Sequence, residues 1–464
     1  MDYSDTYCNP LPIPDYPRGT IQSGCPDCRE MADPTVVYAN GRWYLYATNG
    51  GAYESVDFVH WREGGGPAFP RLSAPTVVER GGKFYLIGSD SPLYEANAPL
   101  GPFRAIGRIT LPDGSSPSFR DPMVFVDEDD RIYFYWGLGA DGIYGTELDP
   151  ENPTRALAPP RNLVRFDRSH EWERLGDWNQ NAGASFIEGS WMLKHESRYY
   201  LTYSGPGTCY RTYAFGVYVG DSPLGDFEYQ DYSPIGLNRH GLITGTGHGC
   251  FVEGPKGTLW AFYTIALCYA HKYERRIGFD PAGFDHKGRL FIARASETPQ
   301  WAPGIVGRPE LGDEAGLLPL TFAEPIVATS CAQGRDAIYA TDESMLSWWQ
   351  PAPDDLDPCI TVDLRASYDV SAIRLIWRDV NLDYERGALP GPFGYRVEIS
   401  NAADGEAPFL TVLDRSRNDV DYSVDYRTFP TTRARRVRLR ITSKPSGIEP
   451  GVINFTAFGA YAEP

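Results

Sequence analysis

The hydrophobic pattern of the first two thirds of the chain repeats one unit. In each copy a short polar or acidic head precedes a strand of Val, Ile, Phe and Tyr, then come a turn containing Gly or Asp and an aromatic strand. Runs of this kind, bounded by turn residues, are typical of β-strands joined in hairpins. The heads of the five copies are Asp33, Ala74, Asp121, Glu188 and His248.

The spacing of these heads predicts a propeller. They lie 41, 47, 67 and 60 residues apart. Periods of roughly 40 to 50 residues with four strands each belong to propeller blades, and the longer repeats would carry loop insertions. We therefore predict a five-bladed β-propeller over residues 1–297, with an irregular Pro- and Gly-rich lead-in up to about residue 30.

A different pattern begins after about residue 295. The Pro- and Gly-containing segment 298–330 predicts a linker. Farther on, Tyr395, Val397 and Ile399 alternate with Arg396 and Glu398, which predicts strands with one buried face. The segment 331–464 is therefore predicted to be an accessory β-sandwich, and the whole chain to be all-β.

The net charge restricts the partners of the protein. A formal charge of −18 argues against nucleic acid, whose phosphates require a basic surface, and against anionic membranes. A neutral oligo- or polysaccharide fits best. Aromatic residues make up 14% of the chain, but they serve sugar binding and all-β cores equally, so composition does not decide between the two.

Targeting signals are not evident in the sequence. No apolar run approaches the roughly 20 residues that span a bilayer, and the N-terminus has neither a basic nor an apolar signal region. The expected location is the cytoplasm, or the periplasm or cell exterior if the chain begins after a removed signal. The oligomeric state is left open.

Cys25 and Cys28 have the CxxC spacing of a zinc knuckle or a redox pair. Neither a second CxxC nor a nearby Cys/His pair completes four ligands. A loop with buried or disulfide-bonded thiols is therefore favoured over a metal or redox function.

Three of the five repeat heads are acids, namely Asp33, Asp121 and Glu188. Equivalent heads converge around the channel of a propeller, because the innermost strands line it. One protonated acid can donate to a leaving oxygen, an ionised one can activate water, and a third can keep their protonation states apart. An Asp before Pro is also a common turn residue, so the shared register carries the hypothesis of glycosidic bond hydrolysis.

The segments Asp33-Pro34, Arg120-Asp121-Pro122 and Ile187-Glu188-Gly189 resemble, in order and spacing, the catalytic segments of glycoside hydrolase family 43. The members of this family are five-bladed propellers, and the resemblance covers roughly residues 5–295. It implies Asp33 as general base, Glu188 as general acid, and Asp121 as the acid that tunes the pKa of the proton donor and orients it.

The resemblance also implies roles for two residues of the last blade. His248 is similar to an axial histidine of the family, which contacts a metal ion or ordered waters in the channel. A calcium ion there and a polar histidine without metal are both open, and no cofactor is otherwise required. Arg276 is similar to an arginine that closes the last blade and reaches the pocket, with a blade-closing salt bridge as the alternative.

The walls of the pocket are less defined by the sequence. Tyr53, Trp136 and Tyr203 are candidates for stacking on sugar from their positions in the repeats, although a core position is favoured for each. The second blade departs from the family, since Ser73 precedes Ala-Pro where a tryptophan is usual. The wall on that side is therefore expected to differ.

The C-terminal segment resembles a discoidin or coagulation-factor type C domain. The resemblance is carried by Ser347-Trp348-Trp349, Val362-Asp363-Leu364, and the strands at 395–400 and 435–441. Such domains bind sugars through loops at one end or serve as packing modules, and both roles are open.

Together these resemblances imply an inverting, exo-acting glycoside hydrolase that releases a terminal pentose or furanose, with α-L-arabinofuranosidase as the first expectation. A β-D-xylosidase, a galactofuranosidase and an exo-β-1,3-galactanase are alternatives, because the same three acids serve them. A non-catalytic glycan-binding protein is the alternative from another class, and the presence of all three acids argues against it.

Overall fold

A computed structural model describes residues 2–14, 16, 25–66, 68–267, 271–312, 314–402 and 408–462. Within these ranges the regular structure is β-strand with short 3₁₀ turns, at Glu171–Glu173, Pro255–Gly257, Pro309–Leu311 and Ala337–Ala340. The predicted all-β class is confirmed. In the same ranges, no helix has the length and apolar character that crossing a membrane requires.

The propeller consists of five antiparallel blades. Blade one contains Thr35–Ala39, Arg42–Ala47, Gly51–Ser55 and Trp61–Glu63. Blade two contains Thr76–Arg80, Lys83–Ile87, Leu93–Ala96 and Arg104–Gly107. Blade three contains Met123–Val126, Ile132–Gly139, Ile143–Asp149, Asn152–Ala156 and Arg161–Val164. Blade four contains Ile187–His195, Arg198–Gly205, Ala214–Gly220 and Phe227–Tyr229. Blade five contains Gly249–Glu253, Leu259–Ala266, Arg275–Phe284 and Leu290–Ile292.

The turn Asn40-Gly41 shows how the sequence forms these hairpins. Both residues have positive φ, 52° and 75°, which a two-residue type I′ turn requires and which Asn and Gly adopt at the lowest cost. The strands that it joins place Tyr38 opposite Trp43, with ring centroids 4.8 Å apart. A cross-strand aromatic pair of this kind fixes the register of the hairpin.

Blades three and four are joined into one sheet. Leu138 pairs with Glu188 and Gly139 with Ile187, so that the second strand of blade three continues onto the first strand of blade four. Between these blades lies a small two-stranded sheet, Arg174–Leu175 with Asn181–Ser185. Glu188 is thereby held between two blades.

The ring is closed by the N-terminal segment, part of the region predicted to be irregular. Thr6–Tyr7 pairs with Gln300–Trp301, which lies after the last blade. Tyr7 is fully buried against residues of blades one and five, and its hydroxyl donates to Asp280 at 3.0 Å. Farther along, Cys25 and Cys28 are free thiols, and the Cys25 thiol donates to Asp27.

The C-terminal sheet has two long strands at its centre, Cys359–Val380 and Val424–Ser443, which pair with each other and shift register at bulges. Bulges bend strands, and this allows long strands to serve a sandwich. The order of the sheet is Leu318–Pro319, Glu449–Tyr461, Cys359–Val380, Val424–Ser443, Gly394–Ser400 and Leu410–Asp414, with Ile326–Ala328 on Cys359–Val380.

The alternation predicted for this domain is borne out by its burial. Tyr395, Val397 and Ile399 are buried in one hydrophobic core. The segment 298–330 differs from the predicted linker, however, because Leu318–Pro319 and Ile326–Ala328 belong to the sandwich sheet. Strands of two or three residues are too short to show an alternating pattern, so the sequence could not reveal them.

Buried charges join the propeller to the sandwich. Arg29, 1% exposed, lies 3.3 Å from Asp379 and 2.6 Å from Asp421 of the sandwich. Arg276 of blade five donates to the Ser423 hydroxyl at 2.9 Å. The two domains therefore share one desolvated polar interface.

We expect Arg29→Met to destabilise the protein strongly. Removing one partner of a buried ion pair leaves Asp379 and Asp421 uncompensated, which costs about 3 to 5 kcal/mol. Urea denaturation followed by tryptophan fluorescence measures the loss. Arg62→Met is the matched control, because Arg62 is 68% exposed in its ion pair with Glu54 and should change the free energy of unfolding by less than about 1 kcal/mol. Equal losses in both variants would contradict the importance of the interface.

Candidate active site

A pocket of about 670 Å³ lies where the blade heads meet. Asp33, Asp121, Glu188 and His248 all line it, so the structure brings the three predicted acids and the predicted histidine together. The convergence follows from the repeat, because each head lies within two residues of the start of the first strand of its blade.

The blade heads share an unusual backbone conformation. Four heads have positive φ, namely Asp33 at 53°, Ala74 at 46°, Asp121 at 48° and His248 at 47°. Residues with a side chain pay of order 1 to 3 kcal/mol for such conformations, which persist where the surrounding structure imposes them. This conformation recurs at the same place in four of the five blades and turns these heads toward the channel.

A ring of hydrogen bonds imposes the conformation. The backbone N–H of each of these heads donates to a hydroxyl of the preceding blade at 2.8 to 3.0 Å. The pairs are Asp33 with Thr264, Ala74 with Thr48, Asp121 with Ser89, and His248 with Ser204. Each blade thereby positions the head of the next.

In blade four the left-handed conformation falls on a different residue. Its left-handed residue is Gly189, with φ of 62°, so Glu188 lies one position earlier than the other heads. A Cβ at Gly189 would stand 2.7 Å from the His248 ring. The Gly189 N–H donates to the Asp121 carboxylate rather than to a hydroxyl. Glycine is thus required after Glu188 for two reasons, the left-handed backbone and the short distance to the His248 ring.

Asp33 is held as a carboxylate. It accepts from the Thr48 hydroxyl at 2.6 Å and from the Arg275 guanidinium at 3.0 Å. Burial acts to raise the pKa of Asp33, but Arg275, His248 and the Thr48 hydrogen bond together lower it below the ordinary value. Asp33 is therefore ionised at neutral pH.

Arg275 is itself fixed by other residues. It is 1% exposed, and its Nε donates to Glu30 at 3.1 Å while Nη1 donates to Thr208 at 3.0 Å as well as to Asp33. A buried arginine between two carboxylates keeps its charge and a single orientation.

The pKa of Glu188 is raised, whereas that of Asp33 is lowered. Burial raises the pKa of Glu188 and the charge of Asp33 adds to the rise, while the Tyr213 hydroxyl, donating to Oε1 at 2.6 Å, and Arg275 oppose it. The balance raises this pKa to about 7. Glu188 thus holds a proton near neutral pH and can give it up there.

Asp121 is the third acid. Burial first, then the charges of Glu188 and Asp33, raise its pKa well above the ordinary value. Asp121, Glu188 and His248 offer oxygen and nitrogen atoms within 4.8 Å of one another, so the two acids share their protonation.

His248 Nδ1 lies 3.3 Å from Asp33 Oδ1 and 3.6 Å from Asp121 Oδ2. Burial lowers the pKa of His248, with Arg275 adding to the effect and Asp33 opposing it. As a calcium site, the group of Asp121, Glu188 and His248 offers two carboxylates and an imidazole, whereas Ca²⁺ takes six to eight oxygen ligands. These three residues therefore fit Ca²⁺ poorly, and we assign no step of the reaction to a metal. Calcium at His248 stays a prediction from the resemblance.

The arginine predicted to reach the pocket is corrected from Arg276 to Arg275. The Arg276 guanidinium lies 4.8 Å from the centre of the Tyr16 ring and donates to Ser423, away from the acids. Neighbouring residues of a strand face opposite sides, and the sequence does not show which side faces the channel. Arg275 itself went unpredicted for this reason.

The three aromatic candidates do not line the pocket within the described residues. Tyr53 is 1% exposed in the core between blades one and five, Trp136 packs between Phe134 and Tyr144, and the buried Tyr203 donates to Glu173. They are core residues, because strand aromatics serve the contacts between blades.

The sequence did not indicate most of the pocket wall. Phe186, Tyr210 and Tyr273 supply its aromatic rings, and Ser73 lines the blade-two side, where the family usually has tryptophan. The cations Arg71, Arg120 and Lys272 line it as well, so the negative charge of the whole chain does not extend to the pocket. These residues lie on loops, where no periodicity marks them.

Family models match both domains. The model of glycosyl hydrolases family 43 matches residues 29–290, and that of the NedA-like, galactose-binding domain matches residues 339–439.

Two curated proteins are similar to part of the chain. A "Beta-xylosidase" of Xylanibacter ruminicola is 31% identical over 166 residues, which cover 31% of this chain and 48% of that protein. A "Xylosidase/arabinosidase" of Bacteroides ovatus is 28% identical over 171 residues, covering 31% and 47%. The chain thus spans about half the length of the curated relatives that it matches.

Solved structures share the fold. A "Glycoside hydrolase" at 21% identity has a TM-score of 0.50, covering 93% of this chain and 98% of that one. A thermostable family-43 glycoside hydrolase at 24% identity also has a TM-score of 0.50, covering 64% and 99%. With a family model that matches more than half of its residues, the chain belongs to glycosyl hydrolase family 43.

Proposed function

We propose that the protein hydrolyses the terminal glycosidic bond of a neutral glycan with inversion and releases a pentose. The observation that carries the proposal is the opposite perturbation of two acids in one buried pocket. Arg275 keeps Asp33 ionised, while burial brings the pKa of Glu188 to about 7. Two carboxyl groups whose pKa values are pushed apart are the mark of a base and an acid.

In this mechanism Asp33 takes a proton from water, and the water oxygen attacks the anomeric carbon. Glu188 donates its proton to the glycosidic oxygen as the bond between that oxygen and the anomeric carbon breaks. Asp121 acts on Glu188 as a positioning residue, because its raised pKa keeps it mainly as a neutral carboxyl group beside the donor. Tyr213 orients the donor through its hydrogen bond.

The size of the pocket supports action at a chain end. Its volume of about 670 Å³ is that of a site for a small ligand. The first candidate substrate is an α-L-arabinofuranoside. The second is a β-D-xyloside, which the names of the two curated relatives favour.

A panel of 4-nitrophenyl glycosides (α-L-arabinofuranoside, β-D-xyloside, β-D-galactofuranoside, β-D-galactoside) identifies the sugar. We expect turnover of a pentoside, and a loss of about 10²-fold or more in Glu188→Ala for substrates with poor leaving groups. The loss should be much smaller for a 2,4-dinitrophenyl glycoside, whose leaving group needs no protonation. Asp33→Ala should lose activity on both. A pentoside panel without turnover would sink the proposal.

The stereochemistry of the reaction is a separate prediction. Because water rather than an enzyme carboxylate attacks the sugar, the product first formed has the opposite anomeric configuration to the substrate. Proton NMR during the first minutes of hydrolysis observes the anomer before mutarotation. A product with retained configuration would rule out Asp33 as the base of a single displacement.

The pH dependence follows from the two acids. Activity should fall as pH rises through the Glu188 pKa of about 7, and fall at low pH only below the ordinary range of an aspartate, because the pKa of Asp33 is lowered. Tyr213→Phe removes a hydrogen bond that favours ionised Glu188. The alkaline limb of kcat/KM should therefore move up by roughly one pH unit.

Tyr203→Phe is the matched control for this shift. Tyr203 is also buried and its hydroxyl also donates to a glutamate, Glu173, but it lies outside the pocket. The alkaline limb of kcat/KM for Tyr203→Phe should stay at the wild-type pH. A limb that moves equally in both variants, or that moves to lower pH in Tyr213→Phe, would contradict the assignment of Glu188.

A further inference from the structure

A second cavity lies between blade one and the sandwich. Its volume is about 720 Å³, similar to that of the catalytic pocket. Asn49, Glu63 and Phe69 line it from the propeller, and Pro390–Pro392 and Asp419 from the sandwich. Neither domain encloses it alone.

The cavity adjoins the catalytic pocket. Arg71 lines both the cavity and the pocket, and its guanidinium donates a hydrogen bond to Asn49 Oδ1, which lies on the cavity side. Two residues farther along, Ser73 lines the blade-two wall of the pocket. The two spaces therefore meet at Arg71.

The chemistry of the walls suits uncharged sugars. Pro390, Pro392 and the edge of the Phe69 ring contribute apolar surface. Glu63, Asp419 and Asp421 contribute carboxylates, which can accept hydrogen bonds from hydroxyl groups. Asp421 is fixed by Arg29 at 2.6 Å, so part of this wall is rigid. An anionic chain would be repelled by Glu63 and Asp419.

We propose that this cleft binds the leaving side of a neutral oligosaccharide, meaning the sugars beyond the bond that is cleaved. The inference rests on the proposed function, since it places the terminal sugar in the catalytic pocket and leads the rest of the chain past Arg71. The sandwich then contributes to substrate binding through its loops at 390–392 and 419–421.

Filling the cleft tests this inference. Gly391 suits the purpose, because a Cβ there would meet only the Pro445 side chain, at 3.5 Å, which is an ordinary contact. In Gly391→Trp the ratio of kcat/KM for xylohexaose or arabinohexaose to kcat/KM for the matching 4-nitrophenyl glycoside should fall at least tenfold. Gly307→Trp is the matched control, since Gly307 has no atom within 4 Å of its Cβ position and lines neither cavity, and the ratio should stay at the wild-type value.

Binding measured without turnover separates this inference from the proposed function. Calorimetry of Glu188→Gln with the two hexasaccharides should show weaker binding when Gly391→Trp is added, and also, by a few fold, when Asp419→Asn is added. If neither the kcat/KM ratio nor the hexasaccharide affinity changes in these variants, the cleft does not bind the leaving side of the substrate, even if aryl pentosides are hydrolysed. Weakened hexasaccharide binding without turnover of any aryl glycoside would support the cleft and refute the proposed reaction.

Discussion

At the bottom of the pocket the Arg275 guanidinium lies 3.0 Å from the Asp33 carboxylate, and both groups are almost completely buried. Without its cation, a desolvated carboxylate would keep its proton, since burial favours the neutral form. With the cation, Asp33 is charged, and its charge helps to raise the pKa values of Asp121 and Glu188. The division of labour among three similar acids therefore depends on where one arginine lies.

The propeller supplies the geometry that this electrostatic arrangement needs. The Thr48 hydroxyl accepts from the Ala74 N–H and donates to the Asp33 carboxylate, so one side chain holds the head of blade two and the acid of blade one. The strained backbone at the heads is imposed by neighbouring blades rather than by local preference. Such a site is rigid because it is built from strand ends and not from free loops.

The repeat made the fold and the three acids predictable from the sequence. Hydrophobic periodicity and register are properties of consecutive residues, and they placed Asp33 and Asp121 at equivalent positions and Glu188 within one residue of that position. The choice between Arg275 and Arg276 depends on the direction in which one strand faces, and the roles of Tyr53, Trp136 and Tyr203 depend on packing between blades. Those are relations between distant parts of the chain, which no local pattern records.

Arg275 and Arg276 are consecutive, yet one reaches the acids and the other donates to Ser423 of the sandwich and to the backbone carbonyl of Arg29. A single peptide unit thus connects the reacting groups to the interface between the domains. The packing of the sandwich consequently bears on the strand that carries Arg275. A substitution at Ser423 would act on Arg276, and the residue next to it, Arg275, is the one that pairs with the carboxylate of Asp33.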